Sequence, residues 1–188
     1  MRWALALLVL ASPALAQAPA PPPAAPADPK DALNTMLSAL RAAPNEQVAK
    51  ALEDQIREAW AKSASPALRL LLARGARELA EGAAGDAADS FDAALDLDPS
   101  LLEAWRGRAQ ARLRGGDPAG AVRDIQEVLR REPRDFAALQ DLSHVAEAQR
   151  DWKGALAAWQ KVLELDPKTP DGRDRLQDLR RRALGDNA

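Results

Sequence analysis

Residues 115–133, GGDPAGAVRDIQEVLRREP, decide how this chain folds. Gly115-Gly116 interrupts whatever precedes it. Asp117 before Pro118 is a helix cap followed by a proline at the first helical position. Ala121, Ile125, Val128 and Leu129 then recur at helical spacing. Glu132-Pro133 stops the run, because the residue before a proline disfavours the α region. The same phrase returns 34 residues away on each side, closing on Asp98-Pro99 and Asp166-Pro167. Between the prolines the register holds: Ala87, Ala121 and Ala155; Phe91, Ile125 and Trp159; Ala94, Val128 and Val162; Leu95, Leu129 and Leu163. Gly75, Ala109 and Ser143 keep an earlier position small. Self-similarity at this period predicts stacked helix-turn-helix units. The small residues let paired helices approach, and the larger residue four places on fills the space beside the contact.

Further start signals are Asp86, Asp135, Asp151 and Thr169-Pro170, and Ser100 with Glu103 reads as a capping box. Trp105, Arg108-Ala109, Arg112, Gly116-Asp117, Ala121, Ile125, Val128 and Pro133 together resemble the tetratricopeptide repeat (TPR) family. The resemblance covers residues 68–169 and implies an all-α superhelix of three repeats, about 68–101, 102–135 and 136–169, with helical caps at both ends. It departs from the family where a Leu is usual (Arg74 and Arg108, against Leu142) and at the mid-helix aromatic (Glu78, Arg112 and Ala146). The resemblance also implies a concave peptide-binding groove on the first helices. Carried over by phase, its residues include Arg69, Leu72, Arg106, Gln110, Arg114, Gln140 and His144. The carboxylate clamp some family members use for chaperone tails is missing: Leu72, Ala76, Gly107, Ala137 and Asp141 stand at the corresponding places.

Outside the repeats, Arg2, the apolar run Trp3–Leu10 and Ala14-Leu15-Ala16 read as a secretory signal peptide over residues 1–16. The apolar run is too short to span a bilayer, which needs ~20 residues. Residues 17–30 are Ala/Pro-rich, an extended spacer without a core. Residues 31–65 carry Leu33, Met36, Leu37 and Leu40, then Val48, Leu52, Ile56 and Trp60, which predict a helical hairpin. It is expected to be a cap or degenerate repeat, with Trp60 sealing it to the first unit. Residues 170–188 predict a charged capping helix, in which Arg180-Arg181-Arg182 faces nearby aspartates as a solvated, ion-paired surface.

The chain has no cysteine, so neither disulfides nor thiolate chemistry is available. Its formal net charge is −2, and loss of Arg2 with a cleaved leader makes it one unit more negative. That balance argues against general nucleic-acid binding, which needs a basic face to release counterions. His144 is the sole histidine, and no phosphate-cradling glycine loop or nucleophile elbow occurs. The expectation is therefore an exported, periplasmic scaffold that binds an unidentified envelope protein or peptide, without catalysis, cofactor or metal. Its rivals are a small envelope enzyme or ligand-binding protein using Asp141, His144 and Glu147, and a self-associating structural repeat.

Overall fold

The computed structural model describes residues 29–61 and 65–184. The expected leader and the Ala/Pro-rich stretch up to residue 28 lie outside the described residues. Those that are described form nine helices and no strand: α1 (Pro29–Arg41), α2 (Glu46–Ala61), α3 (Pro66–Ala80), α4 (Ala84–Leu97), α5 (Leu102–Arg114), α6 (Pro118–Arg131), α7 (Phe136–Ala148), α8 (Trp152–Leu165) and α9 (Gly172–Leu184). Helices α3–α8 form three successive pairs, each packed on the next, and α9 closes the stack against α8. The periodic alanines are the contact points: Ala87, Ala121 and Ala155 are fully buried, with Phe91, Ile125 and Trp159 buried beside them. Phe91 lies between Gly75 and Gly107. A Cβ on Gly75 would stand 2.8 Å from the Phe91 ring, and one on Gly107 closer still. The small position in the first unit is thus set by that ring.

The acidic residue before each proline builds the turn between units. Asp98 Oδ1 accepts the Ser100 N–H (2.9 Å), Glu132 Oε1 accepts that of Arg134 (3.0 Å) and Asp166 Oδ1 that of Lys168 (3.2 Å). The side chain satisfies a turn donor that proline geometry leaves outside the helix ladder. Ser100 therefore points its hydroxyl at Asp98 (2.6 Å), and the capping box expected from Ser100 and Glu103 does not form. The N-cap of α5 is Leu101, with no side-chain bond. Asp86 is likewise inside the first turn of α4 rather than capping it. Asp117, Asp135 and Asp151 do cap, accepting from Gly120, Ala138 and Gly154. Within units, Gly82 and Gly116 take φ of +82° and +83°, and the third unit places Arg150 there at +59°.

Where the repeat pattern fails in sequence, polar side chains replace the missing apolar ones. Asp124, buried at 1% exposure, accepts from Arg108 (2.7 and 3.0 Å) and from Arg112 (2.8 Å). In the first unit the buried acid is Glu78, at the phase of Arg112, held by Arg74 (2.7 Å) and by the hydroxyl of Ser90, which stands at the phase of Asp124 (2.6 Å). The third unit uses Leu142, Ala146 and Ala158 at the same phases. Arg108 and Arg112 pack into the array because each is anchored by an acid one helix away, whereas Arg74 stays largely exposed and pairs one turn along its own helix.

Helices α1 and α2 depart from the expected stacking. Their apolar face (Leu37, Leu40, Ala43, Ala49 and Ile56) packs on Phe136 and Ala137 at the start of α7, with Leu165 at the end of α8 alongside. The contacts of α2 run to α5 and those of α1 to α8. The hairpin thus lies across the edge of the array where the inter-unit turns are. Trp60 meets Phe136 at 5.7 Å between ring centroids, so it seals the hairpin to the third unit and not to the first. The buried face of α2 is also rotated from the expected stripe: Val48 is exposed, whereas Ala49 and Glu53 are buried.

Candidate functional site

The concave face is built by the first helices α3, α5 and α7, of which α3 and α7 start on side-chain caps from Ser65 and Asp135. Between α5 and α7 an open depression of about 320 Å³ is lined by Ala109, Gln110, Leu113, Arg114, Asp141 and His144. A smaller one of about 120 Å³ separates α3 from α5, between Leu72, Leu79, Arg106 and Gln110. Of the residues expected in the groove, Gln110, Arg114 and His144 come together in the larger depression. Arg114 is exposed and donates to the Leu79 carbonyl at 2.7 Å, which holds its guanidinium at the rim. Leu72 lies mostly in the core of the first unit, its edge lining the smaller depression. Arg69 sits apart, exposed near the start of α3. Gln140 is half-buried and donates to Thr169 Oγ1 at 3.4 Å, below the turn that α2 crosses.

Arg106 does not reach out to solvent. Its side chain is 15% exposed and pairs with Asp141 at 3.8 Å, with the Arg106 Nε buried and unbonded. Gln110 donates to both Asp141 oxygens (3.1 and 3.3 Å). Burial pushes the Asp141 carboxyl up to about 6, against the pull of Arg106 and the Gln110 hydrogen bond. Burial also raises Glu103 and Asp135. His144 reaches solvent, yet the desolvation of its crowded surroundings, and then the charge of Arg175, hold its imidazole below its ordinary value. The two acids flanking His144 are already engaged elsewhere: Asp141 by Gln110 and Arg106, Glu147 by Arg175. Sequence reasoning missed Glu53, a buried carboxylate from α2 that accepts from Thr169 in the turn after α8, next to Gln140. Its signal was available as an acid on the otherwise apolar stripe that includes Ala49 and Ile56.

The family model for the tetratricopeptide repeat matches residues 72–135 and again 106–170, spanning more than half of the 188-residue chain. The chain is a tetratricopeptide-repeat protein. A TPR repeat-containing protein of Rhizobium etli is 27% identical over 157 residues, covering 84% of this chain and 77% of that protein. Among solved structures, the Sgt2 TPR domain of Aspergillus fumigatus superposes with a TM-score of 0.58 at 24% identity, over 62% of this chain and 79% of that one. The MamA protein reaches 0.57 at 16% identity, over 84% and 85%. The yeast Sti1 TPR2AB domain in its pHSP90 complex reaches 0.56 at 15% identity, over 83% and 63%. At these identities the structural likenesses speak for the TPR fold alone. Among the described residues, no helix of this TPR protein is long and apolar enough to cross a membrane.

Proposed function

We propose that this TPR protein is an exported, non-catalytic scaffold that holds an envelope protein or peptide in its concave groove. One observation carries the binding reading: the open depression between α5 and α7, where the Arg114 guanidinium and the His144 imidazole stand over an apolar floor beside the bonded Gln110–Asp141 pair. A few placed polar groups over apolar lining suit an extended or helical peptide, and the Arg114 guanidinium suits a partner carboxylate. The Sti1 relative, solved as a pHSP90 complex, supports binding in this fold by analogy. Export rests on the sequence features of residues 1–16.

Groove binding is tested by affinity capture from an envelope fraction, comparing the chain with an Arg114→Glu/His144→Ala variant. Loss of a specific partner with unchanged helicity supports the reading, and equal capture by the variant sinks it. Export is read separately by fusing the first 28 residues to a phosphatase that is active only outside the cytoplasm. A fusion that stays inactive in a Gram-negative host removes the envelope assignment.

A further inference from the structure

Four residues of α2 point at the array with the spacing of a bound recognition helix: Glu53, Ile56, Arg57 and Trp60, at i, i+3, i+4 and i+7. Ile56 is fully buried against the Phe136 cluster. Arg57 stacks on the Phe136 ring, 5.1 Å from its centroid, and Trp60 flanks the same ring. Glu53 accepts from the Thr169 hydroxyl at 3.3 Å and from Arg57 at 2.8 Å. Beside it Asp166 is fully buried, and its Oδ2 has no donor. Two adjoining buried carboxyl groups with one orphaned oxygen are satisfied when they share a proton, one acid donating to the other. The remaining groups facing the pair are the Lys168 backbone N–H on Asp166, and Gln140 of α7, which bonds Thr169. Leu37 and Leu40 of α1 join the apolar cluster of Ile56 and Phe136.

We propose that α2 occupies in cis a site for a partner's amphipathic helix of the same pattern, and that the Glu53–Asp166 carboxyl pair is the latch that holds it. This rests on the concave face being a recognition surface. The latch has a definite sign. Burial, and then the Glu53 carboxyl, raise Asp166 to about 7 in the docked state, whereas an undocked hairpin returns it toward the ordinary carboxylate range. Docking therefore takes up a proton. It is strongest in acid and weakens as pH rises through about 7, freeing the Phe136 site.

Amide hydrogen exchange on the wild-type chain tests the latch. Protection of residues 46–60 relative to α7, corrected for intrinsic exchange, is expected to fall at least ~10-fold from about pH 5.5 to about pH 8. Glu53→Gln should flatten that dependence, because an amide bonds the Asp166 carboxylate without a shared proton. A constant ratio of α2 to α7 protection overturns the latch.

A labelled synthetic peptide of residues 46–61 tests the site. It is expected to bind the full-length Ile56→Glu chain at least ~10-fold tighter than wild type, since the resident helix no longer competes. The same peptide carrying Ile56→Glu should not bind. Equal binding to both chains, or none to a variant that melts as cooperatively as wild type, overturns the proposal. So does an exchanged-hairpin dimer seen by light scattering, which would make a second copy the occupant. Should Ile56→Glu fail to fold, the wild-type exchange experiment decides. These readouts involve neither Arg114 nor His144, so their failure is separable from failure of the groove reading.

Discussion

The repeat array and the α1–α2 hairpin are both helical and both buried on one face, yet they are held in different ways. In the array each helix packs mostly on its immediate neighbours in sequence, and the polar departures are answered within the unit or from the helix next to it, as Asp124 answers Arg108 and Arg112 and Asp92 of the preceding helix answers Arg108 as well. The hairpin is held by contacts from the far end of the chain: Asn34 with Arg134, and Glu53 with Thr169. Nearest-neighbour packing propagates cooperatively along a solenoid. A flap fixed by a few distant contacts opens as its own unit. The difference teaches that one chain carries a rigid frame and a separable cover.

The sharpest way to break the contrast is in the frame. Asp124→Ala leaves two partly buried arginines without their shared acid, and should cost about 3 kcal/mol of global stability in urea unfolding. Gly107→Ala drives a methyl into the Phe91 ring and should cost about 2 kcal/mol, read the same way. In the cover, Ile56→Ala should remove about 2 kcal/mol from hairpin docking alone. Limited proteolysis should then cut α1–α2 first while the main melting transition hardly moves. A loss of global cooperativity instead would merge the two regions into one. The smallest effect sharpens the frame's own regularity. Arg150→Gly restores the residue type used at Gly82 and Gly116, and should stabilise by about 0.5 kcal/mol in thermal melts, the relief of positive φ exceeding glycine's entropy cost.

How much was legible followed the same division. Ala87, Ala121, Ala155 and the acid-proline turns were readable because their environment repeats with the sequence. The tolerance of Arg108 and Arg112 was not, since their partners Asp124 and Asp92 are recognised only once helices are paired, whereas Arg74 and Glu78 stand one turn apart on α3. Among the groove residues, phase placed Gln110, Arg114 and His144 around one depression. It did not foresee that Arg106 turns inward to Asp141, because side-chain direction answers to a neighbouring helix. The register of α2 misled for a similar reason: Val48 matches the apolar period, but the docked helix turns Ala49 and Glu53 inward and leaves Val48 exposed.

By itself the sequence determined the helices, their pairing and the curved stack, because those depend on short-range periodicity repeated unit after unit. Only the tertiary structure decided where the hairpin lies and what Glu53 and Asp166 do. Both are set by residues far apart in the chain, 116 positions for Glu53 and Thr169, whose meeting removes water from the Asp166 carboxyl, which in the open would simply be charged.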